Sequence, residues 1–345
     1  MGKFGVMKAA FTPAYGPADI LETRDVPMPT VGAHDVLVEI RATPVTAGDV
    51  RMRAGDFPSI TKVARLVLGL FRPKNPVQGT MFAGRIVEVG AAVERYAIGD
   101  DVFGFTMHGA YAEFLAMPED GAMAKMPSNM GYDEVAAVPY GAGTARHFLR
   151  DLGAVKRGDR VLIVGASGGV GRFAVQLAKH MGAEVTGVCS RRSFELVRSL
   201  GADHVIDHAS EDFTRNGQRY DVIFDVAGVK SFGGVRSSLT DKGRYLTLLI
   251  SVCVLLQMAV TRIFGGRRAL FGVALDDRKG MEELRELMQQ GVVRPVIAER
   301  FPLERIADAH AAVTAQRSHG SVLITRIADT PGRDPKPQRW ASNFA

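Results

Sequence analysis

A glycine-rich hexapeptide, Ala166-Ser167-Gly168-Gly169-Val170-Gly171, stands between two apolar runs, Val161–Val164 and Val185–Val188, in this chain of 345 residues. The first run reads as a buried parallel strand. Phe173, Ala174, Leu177 and Ala178 follow at helical spacing, and the second run reads as the next strand. The result is one βαβ unit of about 28 residues with its glycines at the first strand-to-helix turn. Such a turn is built to hold a diphosphate. Gly168 lets the backbone approach the phosphates and Gly171 lets the helix pack close to the strand. The helix N-terminus offers free N–H groups and its positive dipole end. Aligned on G-x-G-x-x-G, Ala166 replaces the first glycine, which the turn accepts if its φ stays negative. The alternative is a glycine-rich turn in some other α/β domain.

The end of the second strand decides which dinucleotide fits. An Asp or Glu there would accept from a ribose 2′-hydroxyl and repel a 2′-phosphate. The chain instead has Cys189-Ser190-Arg191-Arg192, with no acid before Glu195. A hydroxyl and two guanidiniums suit a phosphate through charge-assisted hydrogen bonds, so NADPH is the expected cofactor. Surface arginines on a loop are the bland alternative.

Stepping along the chain shows what positions these groups. The first third holds short strands at Met7–Phe11, Ile20–Arg24, Val36–Arg41, Gly84–Val89 and Tyr111–Met117, with a turn leading into a strand over Tyr96–Phe103, all separated by Gly/Pro turns. It reads as an irregular, barrel-like β domain. Ala42–Pro58 reads as a loop, and Ile60–Phe71 as a helix that is either packed or a lid over a binding site. Near Pro127 the pattern changes. Tyr132–Val138 and Gly143–Leu152 are helix-like, and strands at Asp203–Ile206, Val222–Val226 and Tyr245–Leu249 continue a doubly wound parallel sheet. Met281–Gln290 and Arg305–Ala315 are helices, Ser321–Thr325 closes with a strand, and Thr330–Ala345 reads as a mobile tail. The expected domains are 1–127 (β-rich), 128–268 (cofactor-binding), 269–328 (return to the β-rich domain) and a tail at 329–345.

Composition narrows the function class. Hydrophobic residues make up 46% and charged residues 23%, as in an ordinary soluble protein with room for two domains. The net charge of +6 is scattered apart from clusters such as Arg262–Arg268, and no motif supports nucleic-acid binding. Two cysteines, Cys189 and Cys253, make no disulfide framework and fit a reducing, cytoplasmic setting. The longest apolar stretch, Leu246–Val260, is too short and interrupted to span a bilayer. It reads as a packed element or a dimer contact, with a surface-associated helix as the alternative. The eight histidines are dispersed, with no close pair at metal-ligand spacing; His204 and His208 flank a strand.

Several motifs occur in a fixed order. They are V-x-x-x-D-x-x-x-R-x-G at Val45–Gly55, G-x-x-x-A-G-x-x-x-x-V-G at Gly79–Gly90, G-D-x-V-x-G at Gly99–Gly104 and G-A-G-T-A at Gly141–Ala145. The glycine turn, L-G-A-D at Leu200–Asp203 and D-V-A-G at Asp225–Gly228 follow. Over roughly Met7–Thr325 the chain resembles the medium-chain dehydrogenase/reductase superfamily, most closely its zinc-free quinone oxidoreductase branch. The resemblance implies an α/β protein: a GroES-like irregular β-barrel catalytic domain plus a Rossmann doubly wound parallel-sheet cofactor domain. The cleft between them would hold nicotinamide and substrate, and a homodimer is expected by the same analogy.

The resemblance also frames the site. Alcohol dehydrogenases of the superfamily carry a Gly-His-Glu zinc motif, where this chain has Gly79-Thr80-Met81, and no Cys precedes Cys189. Thr and Met are poor zinc ligands, so no metal is expected. Thr46 stands where related enzymes often have an asparagine beside the nicotinamide, with Asp49 and Arg53 after it as an Asp–Arg pair that is more often structural than catalytic. Tyr140 and Thr144 bracket the turn into the cofactor domain; Tyr140 is a candidate proton donor or a packed aromatic. His108 lines the cleft or faces solvent. Arg192 keeps the charge of a common lysine, His208 replaces a common tyrosine, and Gly228 is expected near the nicotinamide ribose. Gly320-Ser321 replaces a common Gly-Lys, so no cofactor-contacting lysine carries over there. The function expected is hydride transfer from NADPH to a small quinone or α,β-unsaturated carbonyl. The alternatives are an enoyl or ketone/aldehyde reductase and a non-catalytic NADPH-binding sensor.

Overall fold

The computed structural model describes residues 5–56, 69, 71–315 and 320–325. Two sheets carry the architecture. The first is built on β3 (Asp35–Val45), eleven residues long, which takes β4 (Met81–Val89) along one edge. Its other edge is shared. β6 (Phe114–Pro118) pairs with Asp35–Glu39, while β15 (Ser321–Thr325) pairs with Ala42–Val45, both antiparallel. β14 (Ile297–Phe301) extends the sheet beyond β15, and β5 (Asp101–Phe105) and β7 (Met123–Lys125) extend it beyond β4. β1 (Val6–Phe11) and β2 (Glu22–Pro27) form a separate antiparallel pair. β14 and β15 thus complete the sheet begun by β3, about 250 residues earlier in the chain.

The second sheet is six-stranded and parallel. Its strands are β8 (Arg160–Val164), β9 (Glu184–Cys189), β10 (His204–Asp207), β11 (Tyr220–Asp225), β12 (Leu239–Thr247) and β13 (Arg268–Phe271), in the order β10-β9-β8-β11-β12-β13. That is the doubly wound order, reversing at β8, where ligands bind outside the carboxyl ends of the strands. The sheet runs through Phe271, past residue 268. Its strands are apolar runs because both faces are covered. Phe173, Ala174, Leu177 and Ala178 of the helix Gly171–His180 are buried against one face, as their spacing required.

Several local readings change. Ala42–Val45 is not loop but the second half of β3, held by β15 almost three hundred residues away in sequence. Ala47–Ala54 is helix α1, capped by Thr46. β2 starts at Glu22 rather than Ile20, because Ala18–Ile20 forms a short 3₁₀ turn. Tyr140 and Thr144 lie within helix α3 (Pro139–Arg146), which follows α2 (Tyr132–Ala136) and opens with proline at its first position. Pro there has no N–H to leave unsatisfied, so the helix begins four residues before the expected Gly143. The helix proposed over Ile60–Phe71 falls outside the described residues except for Gly69 and Phe71, and the tail at 329–345 lies wholly outside them.

Candidate cofactor and active site

The carboxyl edge of the parallel sheet gathers the predicted cofactor residues. In register, Val164 stands beside Val188 and Asp225, and Cys189 beside Asp207. The segments that leave these strand ends are the glycine turn, Ser190–Arg192, His208 and Gly228, so all four line one edge.

The glycine turn is shaped by one residue the fingerprint alignment left out. Gly165 has φ of 83° and starts the turn, and the N–H groups of Gly165 and Ala166 both donate to the Val188 carbonyl, at 2.9 and 3.0 Å. Ala166 has no positive φ, so its methyl in place of a glycine is unstrained. A Cβ on Gly171 would stand 2.1 Å from the Gly165 carbonyl oxygen, whereas one on Gly169 would meet nothing within 4 Å. The N–H groups of Gly169 and Val170 have no backbone acceptor among the described residues. Ser167, Gly168, Gly169 and Val170 thus form an open cradle at the start of helix α4 (Gly171–His180), the geometry an anionic diphosphate fills.

At the other end of the edge, Ser190 precedes a 3₁₀ turn that carries Arg191 and Arg192, both exposed and without an ion pair among the described residues. The His208 N–H donates to the Cys189 carbonyl at 3.3 Å, which sets this exposed histidine beside Ser190. Gly228, at φ 67°, is held from beneath. The buried Asp225 carboxylate accepts from the N–H groups of Gly228 (2.8 Å), Val229 (3.3 Å) and Lys230 (2.8 Å), and from the Tyr245 hydroxyl (3.1 Å). Asp225 had appeared in the sequence only as part of a motif. Its signal was a single acid ending an apolar strand, where a buried charge must have several donors.

The two sheets meet through α3. A Cβ on Gly141 would lie 2.5 Å from the Gly169 carbonyl oxygen and 2.4 Å from the Phe173 ring, so α3 rests directly on the glycine turn. One residue earlier, Tyr140 reaches the other way. A Cβ on Gly48 would stand 3.5 Å from Tyr140 Cε2 and 3.4 Å from Thr46 Oγ1. Burial raises the Tyr140 pKa, the nearby Asp49 carboxylate adds to the effect, and the Arg51 charge with a backbone hydrogen bond from Gly48 only partly offsets both. The phenol therefore keeps its proton at neutral pH. Thr144 turns back on its own helix, donating to the Tyr140 carbonyl at 2.7 Å.

Asp49 is the hub of the hydrogen bonds around Thr46. Thr46 donates to its Oδ2 at 2.5 Å, and Thr80 donates to its Oδ1 at 3.2 Å. Burial nonetheless pushes the Asp49 pKa upward against these bonds. The expected Asp49–Arg53 pair does not form. Both side chains are buried on α1, but no ion pair joins them, and Arg53 Nε and Nη1 have no hydrogen-bond partner among the described residues. His108 is exposed in a loop, its carbonyl taking the Thr106 hydroxyl at 2.9 Å. Among the described residues no group of three or more His, Cys, Asp or Glu is placed to hold a metal ion. A cavity of about 230 Å³ lies elsewhere, lined by Arg146, Arg150, Asp276 and Glu283. Ion pairs among those four bridge it, and none of the predicted site residues lines it.

Comparison with known proteins identifies the family. The family model described as alcohol dehydrogenase GroES-like domain matches residues 32–128, and that described as zinc-binding dehydrogenase matches residues 200–324. A chloroplast envelope quinone oxidoreductase homolog of Arabidopsis thaliana is 29% identical over 90% of this chain and 95% of its own length. A 2-methylene-furan-3-one reductase of Solanum lycopersicum is 30% identical over 93% of this chain and 79% of its own. The solved quinone oxidoreductase of Coxiella burnetii superposes with a TM-score of 0.80 at 25% identity, covering 93% of this chain and 99% of that one. With its doubly wound strand order, its GroES-like and dehydrogenase family matches and relatives aligned over nine-tenths of its length, this chain belongs to the medium-chain dehydrogenase/reductase superfamily, as an oxidoreductase that uses a nicotinamide cofactor.

Proposed function

We propose that the protein is a zinc-independent reductase that uses NADPH to reduce quinones or α,β-unsaturated carbonyls. The observation that carries this reading is the unbroken line of contact from Gly169 through Gly141 and Tyr140 to Gly48 and Thr46. It sets a protonated phenol between a diphosphate cradle and the β-rich half. When bound, NADPH supplies hydride from its nicotinamide ring to an electrophilic carbon or quinone of the acceptor. The residues of the chain do the rest. The N–H groups of Gly169 and Val170 take the diphosphate, Ser190, Arg191 and Arg192 take the 2′-phosphate, and Gly228 presses against the ribose with Asp225 fixing its loop. Tyr140 holds a proton for the enolate oxygen that hydride addition to an enone creates. A quinone needs less help, since its reduced oxygens take protons from water, and positioning supplies the rate.

Zinc independence rests on residue chemistry. Thr80 stands at the Gly-His-Glu position and its hydroxyl is bonded to Asp49, and Met81 is no zinc ligand. The named relatives are a quinone oxidoreductase homolog and an enone reductase, which favours these acceptors over an alcohol, a simple ketone or a sensor role. Two free cysteines suit a cytoplasmic setting. A homodimer would use the outer edge of the parallel sheet, where β13 has a neighbour on one side only.

The test is NADPH oxidation with benzoquinone, phenanthrenequinone and an alkenal, each repeated with NADH. Turnover with kcat/KM greater for NADPH supports the assignment. A ratio below one overturns the cofactor choice, and tight binding without turnover on every acceptor favours the sensor. Arg192→Ala is expected to raise KM for NADPH far more than KM for NADH.

A further inference from the structure

β10 is an outer strand of the parallel sheet, with β9 as its one neighbour, so the turn that leaves β10 lies beside the turn that leaves β9. The His208 N–H is tied to the Cys189 carbonyl at 3.3 Å, one residue before Ser190, and Ser190 Oγ lies 3.3 Å from Ser193 Oγ. Arg191 and Arg192 are exposed on the same 3₁₀ turn. His208 is exposed as well, and none of these three side chains has an ion pair among the described residues.

The acids around this corner are committed elsewhere. Asp207 Oδ1 accepts the Ala209 N–H at 3.1 Å, Glu211 Oε1 accepts from the Asn216 amide at 3.0 Å, and Asp212 is bonded to Thr214 and Lys230. On helix α5 (Phe194–Ser199), which packs on β10, Glu195 lies in the first turn and the Arg198 guanidinium lies over the Phe194 ring. The corner thus offers two unpaired guanidiniums, a hydroxyl and an imidazole. A phosphate monoester suits it, with its acceptor oxygens and a charge near −2 that falls toward −1 below about pH 6.

The imidazole is the group here whose charge changes near neutral pH. Burial, with a smaller push from Asp207, raises the Cys189 thiol to about 11, so that side chain stays neutral. His204 begins the same strand and is bonded to Glu184 at 3.0 Å, at the end away from the turn.

We propose that His208 makes the choice between NADPH and NADH depend on pH. Protonated, it is a third cation on the 2′-phosphate of NADPH; neutral, it leaves the two arginines to hold that phosphate alone. The proposal rests on the reading of this corner as the 2′-phosphate site. NADH has a hydroxyl there and gains nothing from the added charge. As pH falls from about 8 to about 6.5 the imidazole takes up a proton while the phosphate keeps most of its charge, so affinity for NADPH rises and affinity for NADH does not. Below about pH 6 the phosphate itself protonates and the gain levels off.

The experiment is titration of the full chain with NADPH and with NADH, read by nicotinamide fluorescence at about pH 6.5 and about pH 8 and at constant ionic strength. The ratio of dissociation constants, NADH over NADPH, is expected to be about fivefold larger at the lower pH, the effect of one exposed charge-assisted contact. His208→Gln keeps a polar side chain with no charge to gain, and its ratio should not rise as pH falls. His208→Lys is charged at both pH values, and its ratio should stay at least as high as that of the wild type at the lower pH. His208 is exposed, so both variants are expected to melt as the wild type does. A wild-type ratio above one that does not change with pH overturns the proposal and leaves NADPH as the cofactor. A rise in His208→Gln equal to that of the wild type also overturns it and moves the switch to another group. A ratio below one at both pH values overturns the cofactor reading, and the proposal with it.

Discussion

The Thr46 hydroxyl and the Asp49 carboxylate hold each other in a closed exchange. Thr46 donates to Asp49 Oδ2 at 2.5 Å, the Asp49 N–H returns a bond to Thr46 Oγ1 at 3.2 Å, and the Thr46 N–H donates to the same carboxylate at 2.9 Å. This is a capping box at the start of α1. It places Thr46 beside the site while committing its one proton to Asp49. Thr46→Ala is expected to cost about 1 kcal/mol of stability, the usual worth of an N-cap, read from the urea midpoint. Thr46→Asn keeps a good cap and should stay within about 0.5 kcal/mol of the wild type. If Thr46 acts as a cap, both variants keep kcat within about threefold, which is less than 1 kcal/mol of barrier.

Gly169 and Gly171 separate binding from folding. Gly171→Ala drives a methyl to 2.1 Å from the Gly165 carbonyl oxygen, against backbone that cannot yield. Such overpacking is expected to cost about 1–3 kcal/mol and to lower the melting temperature. Gly169→Ala meets nothing within 4 Å, so the free protein should melt as the wild type does. The added methyl would stand where the diphosphate approaches, and the dissociation constant for NADPH is expected to rise about tenfold, or 1.4 kcal/mol. Calorimetric melting and NADPH titration of the two variants distinguish these effects. Equal losses of stability would refute the division.

The cofactor half was readable because its signals are local: an apolar strand, glycines, and a helix pattern from Phe173 to Ala178 lie within a few residues of each other. The other half was less so. Ala42–Val45 looks like loop because its partner, β15, comes from the far end of the chain. The Thr46-x-x-Asp49 capping signal is present but sits in a Thr/Pro/Gly-rich stretch whose composition favours a loop. Gly165 lies outside the G-x-G-x-x-G frame, because Gly165, Gly168 and Gly171 are spaced three apart, although a glycine ending an apolar strand is itself a sign of positive φ. The helix Val252–Phe264 was legible as an apolar stretch. Which way it faces was not, since helical periodicity gives a face without saying whether the domain lies on that side.

His310 sets a pH dependence of stability. It is fully buried, its ring meets Tyr111 edge-on at 5.6 Å, and neither ring nitrogen has a hydrogen-bond partner among the described residues. Burial, with a smaller effect from nearby Arg53, lowers its pKa to about 3. The folded protein therefore holds the neutral ring while the unfolded chain takes up a proton below the ordinary value of 6.5. Its contribution is fully present above that value and is lost as pH falls from there toward about 3, at a limiting slope of about 1.4 kcal/mol per pH unit. His310→Leu should flatten the acid limb of a stability-versus-pH curve by up to that slope. An unchanged limb in urea titrations between about pH 7 and about pH 5 would show that the ring is not held neutral.

Tyr140 gives the sharpest test of chemistry against packing. Its phenol remains protonated because burial and the Asp49 carboxylate both raise its pKa, and its ring lies between Gly48 and the helix that rests on the glycine turn. Tyr140→Phe keeps the ring and removes only the proton and its oxygen. With an alkenal, where the enolate oxygen must be protonated, kcat is expected to fall about a hundredfold, the low end for general-acid catalysis. With a quinone, whose reduced oxygens exchange protons with water, kcat should fall less than about threefold, under 1 kcal/mol of barrier. KM for NADPH should not move with either acceptor, because no part of the cofactor cradle is altered. Equal losses on both acceptors would mark Tyr140 as a packing residue, and the proton would then come from solvent in both reactions.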